Sequence, residues 1–255
     1  MKNVIEEKLR EIEQRENVRI LLAVESGSRA WGFSSPDSDY DVRFIYVRRM
    51  EDYLRLDRMR DVIELPVDDV LDVNGWDLDK TLRLLYRSNP GLFEWFSSPI
   101  IYRETEFSAS FRPVMNRYFS SQKGLYHYLS MAQSNNREYL HGDMVRLKKY
   151  LYVLRPILAC RWILRFRSAP PMRFSELCDA VLPPELQPIV ANLLAWKMSC
   201  SESKLGARIP VLNDFVESEI ARISEEIEKL SPAPIPDIDA LNRTFLRALK
   251  EIAQK

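Results

Sequence analysis

The sequence predicts an α+β (mixed α/β) chain: a mixed sheet with flanking helices over residues 1–103, followed by a helical module over 104–255. Three observations carry this. Residues 18–25, VRILLAVE, are too continuously apolar and β-branched for a surface element, which marks a central strand. Residues 40–48, YDVRFIYVR, form a second such run. From about Glu104 onward, apolar residues recur at helical spacing instead, so the layer arrangement changes there.

In chain order, Asn3 with Glu6 reads as a capping box, and Ile5, Leu9 and Ile12 follow at helical spacing in a helix that ends near Asn17. The strand from Val18 to Glu25 runs into a Gly27-Ser28 turn and a loop, SSPDS, whose residues are ordinary loop formers. A second strand runs from Tyr40 to Arg48. A short helix is expected over Met50 to Leu56, then two strands, Val62 to Leu65 and Val70 to Val73, each with one acid in its apolar run. LDKTLRLLYRS reads as a helix that Asn89-Pro90 stops, and Asp77 just before it suits an N-cap. The aromatics of GLFEWFSSP are expected in the core, and a short strand at Ile100 to Tyr102 completes the sheet. Helical patterns then cover Phe107–Phe119, Leu125–Leu140, Val145–Phe166, Leu186–Met198 and Val211–Leu230, with a last helix after the linker Pro232 to Pro236.

The chemistry-bearing stretch is ESGSRAWGFSSPDSDYDVR, Glu25 to Arg43. Asp39 and Asp41, at i and i+2 of a strand, point to one face with Cα atoms about 6.5–7 Å apart. Carboxylates converging from that separation can hold two Mg²⁺ ions about 3.5–4 Å apart. Mg²⁺ is hard, prefers oxygen and is usually held by one or two carboxylates plus substrate phosphates. Phosphates in turn need uncharged or positive donors. Gly27 permits a tight phosphate-facing turn, successive N–H groups can form an anion-binding nest, Ser28 adds a hydroxyl, and Arg29 and Arg43 add positive charge.

These words resemble the nucleotidyltransferase signature of the DNA polymerase β superfamily. GSRAWGFSSPDSDYDVRFIYV, NGWDLDKTLRLLYRSNPGLFEWFSSPIIY and KKYLYVLRPILACRWI are similar to predicted nucleotidyltransferases of bacteria and phages, some of them associated with RNA repair; the resemblance spans Val18 to Ile163. It implies a nucleotidyltransferase-type catalytic sheet in 1–103 and a substrate-binding helical domain in 104–255. It also implies a third metal carboxylate from a neighbouring strand: Asp72 in VLDV is the better match, and Asp77 the rival. The expected enzyme is a two-metal nucleotidyltransferase that moves a nucleoside monophosphate from an NTP to an acceptor hydroxyl and releases pyrophosphate. Asp39, Asp41 and Asp72 would bind two Mg²⁺, with Mn²⁺ as the alternative ion. Gly27, Ser28, Arg29, Lys149 and Arg155 would hold the phosphates. The acceptor stays open between RNA, a protein and a small molecule.

Charge supports part of this. The totals balance at 37 basic and 37 acidic residues, so no net field draws the molecule to nucleic acid or a membrane. Locally, no acid occurs between Asp143 and Glu176, whereas Arg146, Lys148, Lys149, Arg155, Arg161, Arg165, Arg167 and Arg173 all fall there. This block reads either as a phosphate-facing funnel or as a solvated helix face. Lys80, one turn into its helix, carries the same pair of readings. Cys160, Cys178 and Cys200 lack metal-ligand spacing and suit a reducing cytoplasm. The acid-interrupted N-terminus is unlike a signal peptide, and no apolar run approaches a membrane span of about 20 residues. Two other classes compete: a nucleotide- or RNA-binding protein without turnover, and a two-metal nuclease, against which the Gly-Ser turn argues.

Overall fold

The computed structural model describes residues 1–66, 70–199, 205–231 and 236–253. Cys200 and most of the expected proline-rich linker, 232–235, lie outside them. Two compact units emerge, one made of Met1–Ala30, Asp39–Tyr118 and Ile235–Lys255, the other of Trp31–Ser38 and Phe119–Pro234.

The first unit opens with α1 (Lys2–Glu16), which buries Ile5, Leu9 and Ile12 and ends at Asn17 in the left-handed conformation, φ 52°. The expected capping box does not form. The helix already begins at Lys2, so Asn3 lies in its first turn and cannot take the extended cap conformation. Next come β1 (Arg19–Glu25), the five-residue α2 (Gly27–Trp31), β2 (Tyr40–Val47), α3 (Met50–Tyr53), β3 (Val62–Glu64), β4 (Leu71–Asp77), α4 (Leu78–Tyr86), α5 (Pro90–Phe96), β5 (Ile101–Glu104) and α6 (Glu106–Met115).

The five strands form one mixed sheet in the order β3-β4-β2-β1-β5. β1 is antiparallel to β2 and β5, β3 is antiparallel to β4, and β2 and β4 run parallel. The α1 residues pack on one face with Ile20, Ala23, Val42, Phe44, Tyr46 and Val73. Each such apolar side chain taken from water contributes about 1.5–3 kcal/mol, so α1 clamps the central strands whose ends carry the site.

The first unit does not stop where the strand pattern stops. Ser108 Oγ on α6 donates to Leu21 O of β1 at 3.0 Å, and Phe111 packs with Phe96 of α5, rings 5.9 Å apart. Those two anchors tie α6 to the sheet, whereas the expected division fell at residue 104.

The second unit contains α7 (Ser121–Tyr139), β6 (Met144–Arg146), α8 (Lys148–Phe166), α9 (Phe174–Val181), α10 (Gln187–Ser199), β7 (Leu205–Ala207) and α11 (Pro210–Glu228). The helix expected over Val145–Phe166 is shorter, because Val145 is taken into a two-stranded sheet against Gly206. A Cβ on Gly206 would meet the Leu147 side chain at 2.7 Å, so any larger residue there would have to displace it. Of the stripe Leu147, Leu151, Leu154 and Leu158 that helical spacing predicts as buried, the last three are fully buried on α8 and Leu147, before its start, is half-buried. The last helix, α12 (Ile238–Ala253), returns to the first unit, with Phe245 edge-on to Tyr53 at 5.0 Å. Among the described residues, no helix is long and apolar enough to cross a membrane.

Candidate active site

β1 delivers its chain to the sheet edge at Glu25, and Ser26 N donates to Asp41 O at 2.8 Å, which pins the following turn beside the start of β2. Gly27 has φ +58°, and a Cβ there would lie 1.9 Å from Asp41 Oδ2. The backbone conformation favours glycine, and any side chain there would displace the Asp41 carboxylate. The turn expected at Gly27-Ser28 is the first turn of α2, with Ser28 buried.

The parallel pairing of β2 and β4 sets Asp41 directly opposite Asp72. Between them lies Arg43, two residues on from Asp41 and on the same strand face. Its Nη2 donates to Asp41 Oδ1 at 3.0 Å and to Asp72 Oδ2 at 2.6 Å, and its Nη1 donates to Asp72 O at 3.1 Å. Burial is the main cause that raises the Asp41 pKa; Arg43 opposes the shift, and Asp39 and Asp72 add to it. Three carboxylates thus share one neighbourhood, with Asp39 the exposed member. No group of three or more His, Cys, Asp or Glu side chains among the described residues forms a ready-made metal cage. The Asp41 and Asp72 oxygens nevertheless converge on a single cation, here a guanidinium, and two such oxygen donors are of the kind that would hold a hard divalent ion.

Beneath Asp41 lies a layer that sequence reasoning missed. Glu25 is fully buried; its Oε1 accepts from Asp41 N at 2.7 Å, and its Oε2 accepts from the Tyr102 hydroxyl. Burial pushes its pKa up, against the hydrogen bonds that stabilise the charge. An acid closing an otherwise apolar strand was the available signal. Its partner Tyr102, on β5, is 77 residues away in sequence, so no local pattern announces the pair. Arg29 is fixed nearby, with Nε donating to Asp39 O at 2.9 Å and its guanidinium 3.7 Å from the Tyr40 ring centre.

Asp77 lies at the opposite end of β4, five residues or about 16 Å from Asp72. It caps α4 by accepting from Asp79 N at 2.9 Å, accepts the Tyr53 hydroxyl at 2.9 Å, and lies 3.7 Å from Arg48 Nε. Lys80 pairs with Asp61 at 3.1 Å. Lys149 and Arg155 belong to α8 of the second unit, where both are engaged with aromatic rings: Lys149 Nζ is 3.7 Å from the centre of Tyr139, and Arg155, 3% exposed, is 4.4 Å from Trp31. The solvated-face reading therefore does not hold for Arg155. Cys160 is buried, and burial pushes the Cys178 thiol up to about 12, as for inert core cysteines.

The sheet, the glycine turn and the opposed carboxylates define a nucleotidyltransferase fold of the DNA polymerase β superfamily. Residues 1–247 match the model of the RNA repair pathway DNA polymerase beta family (RlaP), and the chain belongs to that family. It is 47% identical over 254 residues to the uncharacterized protein YcgL of Bacillus subtilis (strain 168), covering 99% of this chain and 98% of that one. A crystal structure of a nucleotidyltransferase-like protein from Exiguobacterium sibiricum 255-15 aligns over 88% of this chain and 74% of its own, with 12% identity and a TM-score of 0.34.

Proposed function

We propose that the protein is a divalent-metal-dependent nucleotidyltransferase that transfers a nucleoside monophosphate from an NTP to an acceptor hydroxyl. The observation that carries this reading is the convergence of Asp41 and Asp72 on one cation, 3.0 and 2.6 Å away, against the Gly27 turn. In the reaction the acceptor oxygen forms a bond to the α-phosphorus, the bond from that phosphorus to the β-bridging oxygen breaks, and pyrophosphate leaves. Magnesium or manganese, when bound, supplies charge neutralisation and lowers the pKa of the acceptor hydroxyl.

The chain's own residues position and neutralise. Asp41 and Asp72 are the ligands, and Asp39 is the exposed carboxylate free to complete the set as substrate arrives. Gly27 brings uncluttered backbone to the phosphates, with Ser28 behind it. Glu25 and Tyr102 hold the Asp41 backbone in place, a support of the kind that fixes ligand geometry. Arg43 pairs with both carboxylates; with Asp41 and Asp72 holding an ion, its guanidinium would be available to the substrate as a positive group. Lys149 and Arg155 remain proposed phosphate ligands, each needing release from its aromatic partners.

Arg43 also favours a second reading, a nucleotide-binding protein without turnover in which the arginine replaces the metal permanently. Incubation with Mg²⁺ and NTPs labelled at the α-phosphate, together with RNA, protein and small-molecule fractions, separates the two. Label appearing in one fraction supports transfer; retention of unreacted nucleotide alone supports the binding protein.

A further inference from the structure

Four arginines of the second unit, none given a part in the proposed reaction, surround an open cavity of about 350 Å³: Arg161, Arg165 and Arg167 at the C-terminal end of α8, and Arg222 of α11. Arg161 and Arg165 are one helical turn apart and so share a face. Their orientation is set by the protein itself. Arg161 Nε donates to Val181 O at 2.8 Å, and Arg165 Nη1 donates to Ala180 O at 2.7 Å, both carbonyls at the end of α9. Buried Glu219 accepts from Arg222 through both carboxylate oxygens, at 3.0 and 2.7 Å, and pairs with Arg161 at 2.8 Å. Desolvation opposes ionisation of Glu219, but the hydrogen bonds and charges of Arg222 and Arg161 outweigh it and hold the carboxyl below its usual range.

Positive charge is left over. One carboxylate holds two of the arginines, and Glu226, the cavity's own acid, is also paired with Lys229 at 2.7 Å. Arg165 and Arg167 are both exposed; Glu226 lies within the field of Arg167 but is shared with Lys229 and Arg222, and the stretch from 144 to 175 contains no acid. A ligand for such a site must bring negative charge and several acceptor oxygens, the chemistry that a guanidinium fork matches best.

We propose that this cavity binds phosphate groups, either the diesters of a single-stranded nucleic acid or a free phosphate compound. The proposal stands independently of the nucleotidyl-transfer reading, and its test needs neither metal nor turnover. Binding of a fluorescent single-stranded oligoribonucleotide is measured against salt for the wild type and for Arg165→Gln/Arg167→Gln. If diesters are the ligand, affinity at low salt falls on the order of tenfold per lost contact, and the slope of log K against log salt drops by about 1.4 for two contacts. The second measurement uses the unaltered protein, so a misfolded variant cannot obscure the result. Phenylglyoxal modification at Arg165 and Arg167 is followed by mass spectrometry with the oligoribonucleotide or with pyrophosphate present. Protection by the oligonucleotide assigns diesters, and protection by pyrophosphate alone assigns a free phosphate compound. Equal modification with and without both ligands, beside an unchanged salt slope in the variant, overturns the site.

Discussion

The two ends of β4 carry the same residue types in opposite circumstances. At one end Asp72 faces Asp41 with Arg43 between them, and Asp39 adds a third negative charge nearby. At the other end Asp77 is 3% exposed; its Oδ1 accepts from the Asp79 amide and the Tyr53 hydroxyl, and its Oδ2 lies 3.7 Å from Arg48 Nε in an ion pair. Buried charge persists only where it is paired and hydrogen-bonded, and the Asp77 end meets that condition with its own chain. The Asp72 end keeps partly exposed acids, Asp39, Asp41 and Asp72, in excess of the cations Arg43 and Arg29 near them. The proposed metal site rests on that contrast: exposed acid in excess at one end, an acid buried with its partners at the other.

The largest effect expected from breaking this contrast comes from Asp41→Asn. Removing that ligand should lower nucleotidyl transfer by at least about two orders of magnitude, with the apo-protein no less stable because one repelling charge is gone. Pyrophosphate release and melting temperature, measured on the same preparation, check both halves. Gly27→Ala should follow closely. A residue other than glycine in the left-handed region costs about 1–2 kcal/mol, and the new methyl group displaces Asp41 from the position it occupies 1.9 Å from that Cβ. Activity should fall nearly as far as in Asp41→Asn, with a melting temperature lowered in addition, by scanning calorimetry.

Arg43→Gln sharpens the contrast from the other side. Without the guanidinium, Asp41 and Asp72 confront one another, so the metal-free protein should melt lower than wild type and Mg²⁺ should raise its melting temperature by more. An equal Mg²⁺ shift in the two proteins would show that the arginine does not hold the cation seat.

The smallest effect belongs to Asp77. Burial raises its pKa from 3.8 to about 6, so between those values the native state binds more protons than the unfolded chain. Stability from this group is present below about pH 4 and is lost as pH rises through about 6. Asp77→Asn keeps a residue that caps helices well and removes the titration. The wild type should therefore lose stability relative to the variant between pH 4 and pH 7, read from urea unfolding at several pH values.

Much of the first unit was legible because its signals are local. VRILLAVE and YDVRFIYV announce strands by composition, the glycine by its place between them, and Asp72 by an acid inside VLDV. The choice between Asp72 and Asp77 was not local. It depends on a parallel register that sets Asp41 beside Asp72 and Tyr46 beside Asp77, and strand pairing leaves no trace in the order of residues. Glu25 with Tyr102, and the return of α12 to the first unit, were hidden for the same reason. β6 escaped notice because three residues, MVR, are too few to show a strand period against the helix that follows. The basic block was visible as charge, but its division among aromatic partners for Lys149 and Arg155 and a shared cavity for Arg161, Arg165 and Arg167 is a product of helix packing alone.

The most direct test is release of pyrophosphate from NTPs with Mg²⁺ by the wild type, Asp72→Asn and Asp77→Asn. The expected result is turnover in the wild type and in Asp77→Asn and none in Asp72→Asn, with all three folded. An active Asp72→Asn beside an inactive Asp77→Asn would place the chemistry at the wrong end of β4, and the contrast drawn between the two ends would not stand.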